Sequence, residues 1–127
     1  MEFLMSRMIL RPRDPDRTVA FYRDTLGLAV YREFPGGTVF FLGNGLLEVS
    51  GRGEGGPGDD VVLWLQVRDI EATARELADR GVAVERAPTR EPWGLVEMWL
   101  RDPDGLRLVV VEVPEDHPIR RDQRPTG

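Results

Sequence analysis

Few side chains in this sequence can do chemistry at neutral pH. Cysteine is absent, so there is neither a thiolate nucleophile nor a sulfur ligand. All 17 cationic side chains are arginine, so no lysine amine is available for a Schiff base. The single imidazole is His117, in a polar, proline-rich stretch, and it reads as a solvent-exposed tail residue. Ser6 and Ser50 are the only serines, and a Ser-His-Asp arrangement would need that tail to fold over one of them. What remains for chemistry is carboxylates, guanidinium groups, Tyr22, Tyr31 and the backbone.

The elements that must position these groups are bounded by composition. A chain of 127 residues with 41% hydrophobic and 31% charged content is globular and long enough for one core. A net charge of −5 gives no basic footprint for nucleic acid. No apolar run approaches the roughly 20 residues of a membrane-spanning helix. The opening MEFLMSRMIL lacks the basic flank and small-residue cleavage site of a secretory signal, so it reads as a first strand. A cytoplasmic protein is expected, in agreement with the absence of cysteine.

The chain repeats itself. Arg13-Asp14 matches Arg68-Asp69, and Gly27-Leu28-Ala29-Val30 matches Gly81-Val82-Ala83-Val84, at an offset of 55 that falls to 54. In each copy an apolar stretch (3–10, then 61–67) leads to an Asp suited to cap a helix, with Pro15 strengthening the first case. Val19, Tyr22 and Leu26, and Ile70, Ala74 and Leu77, recur at helical spacing. Gly27 and Gly81 stop the two helices. Strands then follow over 29–34, 38–42 and 46–50 in the first copy, and over 83–86, 95–101 and 106–113 in the second. Pro35-Gly36-Gly37, Gly43-Asn44-Gly45 and Asp102-Pro103-Asp104-Gly105 mark turns. The expectation is one domain, 1–127, made of repeats 3–50 and 61–113 with a flexible linker 51–60 and a tail 114–127.

Two such β-α-β-β-β units, with F-Y-R-D-T-L-G-L-A-V after Asp14-Pro15 and P-W-G-L-V-E-M-W-L-R-D-P-D-G in the second copy, resemble the vicinal oxygen chelate superfamily. That group holds glyoxalase I, bleomycin-resistance proteins, fosfomycin-resistance transferases and extradiol dioxygenases. The resemblance covers about residues 5–113. It implies an α+β fold in which two tandem units form a curled mixed sheet around a cup-shaped cavity. It also implies a metal held by His, Glu or Gln from the first and last strands of each unit.

Carried onto this sequence, those four positions are Arg7, Glu48, Val62 and Val109. A catalytic divalent ion needs about three N or O ligands. Valine donates no lone pair, and a guanidinium is a permanent cation. Slipping the register by one finds only Val61, Leu63, Leu108 and Val110, so no metal and no cofactor are expected. Glu112, on the opposite face from Val109, reads as solvated or ion-paired.

By strand alternation the cup is expected to be lined by Ile9, Leu46, Val62, Trp64, Val109 and Val111. Arg7 and Glu48 are expected as an ion pair near its floor, and Trp93 over its opening. Met98 and Trp99 lie on opposite faces, so only one can turn inward. Tyr22 and Tyr31 read as packing residues. The reading that follows is metal-free binding of a small, partly aromatic or apolar molecule, as in bleomycin-resistance-like members, by a homodimer with no nucleic-acid or membrane partner. The alternative is a lyase, isomerase or dioxygenase of the superfamily with Glu48 as base or residual metal ligand. A third is an accessory subunit whose cup is filled by its own side chains.

Overall fold

The computed structural model describes residues 1–56 and 58–118. It divides into two compact units. Among the described residues, the first comprises 1–61 together with 101–106; the second comprises 62–100 and 107–118.

The first unit runs β1 (Arg7–Leu10), α1 (Pro15–Ala20) continued by a π-helical turn (Phe21–Thr25), β2 (Val30–Phe34), β3 (Gly37–Leu42) and β4 (Gly45–Ser50). The second runs β5 (Val62–Val67), α2 (Ile70–Asp79), β6 (Val84–Arg90), β7 (Val96–Arg101) and β8 (Arg107–Glu112). Each contributes one four-stranded mixed sheet, in the orders β1-β4-β3-β2 and β5-β8-β7-β6. In each, the first strand pairs parallel with the last. This is the expected β-α-β-β-β unit, twice, in an α+β fold.

Local chemistry sets the helix ends. The Asp14 carboxylate accepts the Arg17 N–H at 3.1 Å, with Pro15 at the first helical position. Asp69 does the same for Ala72 at 3.0 Å. Gly27 and Gly81 end the helices at φ 74° and 77°, where a Cβ would be strained. The π turn, closed by Leu26 N–H on the Phe21 carbonyl at 2.9 Å, departs from the plain helix expected. It carries Tyr22 into the core.

That core is Tyr22, Phe40, Leu47 and Val49, with Met8, Leu10, Val19, Phe21, Leu26, Leu28 and Leu42 packed against it. All its strand residues lie on one sheet face, so the alternating face of β1, β3 and β4 is turned away from the helix. In the second unit, Ile70 and Leu77 are the buried residues of α2, and the Ile70 N–H is capped by Glu112 at 3.0 Å. Glu112 is therefore a half-buried helix-capping residue.

Two expectations need correction. The first strand begins at Arg7 and not at residue 3, because Arg7 already faces Leu46 and β4 begins at Gly45. With no partner strand beyond that point, Phe3, Leu4 and Met5 are exposed. Within 51–60, two glycines stand where no side chain would fit. A Cβ on Gly53 would stand 2.0 Å from the Arg11 carbonyl oxygen, and one on Gly56 2.3 Å from that of Asp104, so both let backbone pack against backbone. His117 is half-buried, its Nε2 2.8 Å from the Trp93 carbonyl oxygen. The remainder of the tail, 119–127, lies outside the described residues.

β6 also runs on to Arg90, past Pro88. It is an edge strand, and Pro88 falls in the irregularity of its pairing with β7 between Arg86 and Thr89.

Candidate functional site

Strand registers arrange the helix-distal face of the first sheet into rows. Arg7, Leu46 and Phe41 lie abreast; Ile9, Glu48, Val39 and Arg32 form the next row; Ser50, Gly37 and Phe34 the next. Tyr31, at an irregularity in β2, closes the first row by an edge-on ring contact with Phe41 at 5.1 Å. Ile9, Phe41 and Tyr31 are 46%, 49% and 50% exposed. An apolar, partly aromatic surface therefore surrounds one carboxylate.

That carboxylate is fully engaged. Arg7 Nη1 donates to Glu48 Oε1 at 2.8 Å, and Ser50 Oγ donates to Oε2 at 2.7 Å. The Ser50 hydrogen bond, then the Arg7 hydrogen bond and the charges of Arg7 and Arg11, hold Glu48 below the usual carboxylate range. A group so held is a poor general base near pH 7. The expected Arg7–Glu48 pair is present.

In the second unit, Val62 lies beside Arg107, Trp64 beside Val109 and Gln66 beside Val111. Val62 and Trp64 are exposed, whereas Val109 and Val111 are buried in a cluster with Leu95 and Val113, against Trp99. Trp99 also carries two guanidinium groups, Arg86 at 4.2 Å and Arg107 at 5.1 Å from the ring centroid. Each is neutralised: Arg86 pairs with Glu91, and Arg107 donates from Nε and Nη2 to Glu85 at 3.1 and 2.9 Å. Glu97, 7% exposed, accepts the indole N–H of Trp93 at 2.9 Å and of Trp99 at 3.3 Å. Trp93 is thus fastened by its nitrogen, with its ring largely exposed. Met98 is fully buried, and Trp99 is the partner that turns to the Val109 face.

The positions at which the resemblance implies a metal do not fit one. In the first unit both oxygens of Glu48 are taken by protein donors, one a fixed positive charge at 2.8 Å. In the second unit Val62 and Val109 have no donor atoms. Among the described residues no three His, Cys, Asp or Glu side chains are grouped to hold an ion.

Of the residues singled out from sequence, Arg7, Ile9, Glu48 and Leu46 share the face in the first unit, and Val62, Trp64, Val109 and Val111 the face in the second. Phe41, Tyr31 and Arg32 were missed in the first unit, and Arg86, Glu97 and Trp99 in the second. Phe41 was within reach. A two-residue Gly43-Asn44 turn pairs Leu42 with Gly45 and so sets Phe41 opposite Leu46. Tyr31 was not, since the β2 irregularity changes its face.

The Glyoxalase family model, described as the Glyoxalase/Bleomycin resistance protein/Dioxygenase superfamily, matches residues 4–110. Among solved structures, a glyoxalase/bleomycin resistance protein/dioxygenase from Nocardioides is similar at TM-score 0.78 and 18% identity, covering 100% of this chain and 91% of that one. A protein of unknown function from Agrobacterium tumefaciens str. C58 gives 0.72 and 25%, covering 90% and 95%. A lactoylglutathione lyase from Agrobacterium tumefaciens gives 0.67 and 23%, covering 88% and 94%. No curated protein matches the chain. With two β-α-β-β-β units in place and the family match spanning nearly all of both, the chain belongs to the Glyoxalase/Bleomycin resistance protein/Dioxygenase superfamily.

Proposed function

We propose that this protein binds a small, partly aromatic or apolar molecule without a metal, sequestering it in the manner of bleomycin-resistance-like members. The observation that carries the reading is the state of Glu48. Both its oxygens accept protein hydrogen bonds, from Arg7 and Ser50, on a sheet face that also carries Ile9, Leu46, Phe41 and Tyr31. An apolar surface with a few fixed polar groups is the usual composition of a ligand site. In the second unit Val62, Trp64 and the fastened Trp93 offer exposed apolar surface of the same kind. The likeness to a lactoylglutathione lyase structure, at 23% identity, is a likeness of fold and carries no activity over. A cytoplasmic homodimer is part of the same reading and rests on the family resemblance.

The test is elemental analysis of untagged protein purified without chelator, together with calorimetric titration of a panel of small aromatic compounds. Substoichiometric transition metal and at least one saturable ligand are expected. A stoichiometric ion that disappears in Glu48→Gln would overturn the reading in favour of the enzyme alternative, with Glu48 as a ligand.

A further inference from the structure

The face around Glu48 carries more positive charge than it neutralises. Three guanidinium groups stand on or beside it, those of Arg7, Arg11 and Arg32, against the single carboxylate of Glu48. Arg7 is committed to that carboxylate at 2.8 Å. Arg11, just past the end of β1, is exposed and runs beside Gly51, its Nε 3.6 Å from where a Cβ would stand, and its charge acts on Glu48. Arg32 is level with Glu48 in the register, two strands away, its guanidinium 5.2 Å from the centroid of the Phe34 ring. Among the described residues Arg32 has no ion pair, and Arg11 makes none by direct contact, acting on Glu48 only through its charge. This surplus sits on a chain whose net charge is −5, so it is not the overflow of a basic protein.

Between these cations lie the exposed rings and branched chains of Phe41, Tyr31 and Ile9. Phe34 lies across Gly37, close enough that a Cβ there would meet its ring at 2.3 Å, so this ring covers the row next to that of Arg32. A surface with this layout complements a molecule that is apolar on one side and negatively charged at its edge.

We infer that the ligand of this site is an aromatic anion, its ring on Phe41, Tyr31 and Ile9 and its carboxylate, sulfonate or phosphate held by Arg11, with Arg32 the second cation in reach. This rests on the binding function proposed above and narrows it to a ligand class. Arg11 is the better placed of the two. It lies beside Glu48, whose own charge is already answered by Arg7, and a guanidinium fork matches planar anions in two hydrogen bonds.

Two dyes with one ring system separate the claims: 8-anilinonaphthalene-1-sulfonate, and its neutral counterpart N-phenyl-1-naphthylamine. On the wild-type protein the sulfonate is expected to bind about tenfold tighter, the scale of one charge-assisted hydrogen bond. Arg11→Gln should remove about that tenfold for the sulfonate and leave the neutral dye unchanged, while Arg11→Lys retains part of it. Phe41→Ala should weaken both dyes. Should Arg11→Gln fail to fold by circular dichroism, Arg32→Gln reads the same loss of preference in smaller measure. Equal affinity of the two dyes, or an unchanged sulfonate affinity in Arg11→Gln, overturns the anion assignment and leaves the proposed binding function standing. If neither dye binds, or if Phe41→Ala alters neither, the binding function itself falls and the assignment with it.

Discussion

The Tyr22 hydroxyl donates to Asp102 Oδ2 at 2.8 Å, and both residues are buried. Burial first, then the charge and hydrogen bond of Asp102, push the ionisation of Tyr22 far above its ordinary range. A group raised in the folded state stabilises fully below its unfolded pKa. Stability should therefore decline as pH rises through about 10, where only the unfolded chain ionises. Tyr22→Phe should remove that alkaline limb and, by leaving Asp102 short of a donor, cost about 1–3 kcal/mol in denaturant unfolding at neutral pH. Glu48 has the opposite sign. Its folded pKa is lowered, so its contribution is complete above the usual glutamate range and is lost as pH falls through that range. The difference in melting temperature between wild type and Glu48→Gln should shrink below about pH 4. The Arg7–Glu48 pair could be read in the sequence because motif counting fixes both positions on facing strands. Tyr22–Asp102 could not: the two are 80 residues apart, and each has a sufficient local role, one in a helix stripe and one in a turn where it accepts the N–H groups of Asp104 and Leu106.

Elements were legible wherever the signal is local. Asp caps, Gly stops and two-residue turns state their geometry within a few residues, so both helices and all eight strands fall close to where periodicity puts them. The failures are long-range. β1 is cut short by where β4 begins, and the π turn is visible only through what Tyr22 must reach. In 51–60 composition does not say which glycines are tightly packed, because glycine serves flexible chain and tight packing alike. Gly53→Ala should be destabilising, since its Cβ meets backbone and not a movable side chain. The same change at Gly55, which has open space around it, should be close to neutral in thermal melts. Asp69→Ala, removing the carboxylate that caps α2, should cost about 1 kcal/mol.

At the scale of the molecule, the compact units do not coincide with the two sequence repeats. Residues 101–106, from the last residue of β7 onward, belong to the first unit, where Asp102 receives Tyr22, Asp104 receives Arg13, and Arg101 meets Asp59 at 3.0 Å. A fragment ending at residue 61 would leave Tyr22 without its acceptor. It should give the poorly dispersed amide spectrum of a chain lacking fixed packing, whereas the full chain should not. The duplication was plain from sequence because it is written in order along the chain. The exchange of one turn was not, because nothing local to Asp102 distinguishes a turn that stays with its neighbours from one that leaves them.

The division of residues also sorts the chromophores. Both tyrosines, Tyr22 and Tyr31, belong to the first unit, and all three indoles, Trp64, Trp93 and Trp99, to the second. Each half of the molecule thus carries its own natural optical label. Emission excited selectively from indole follows the second half, and phenol absorbance follows the first, so denaturation of the unaltered protein can be watched in both at once.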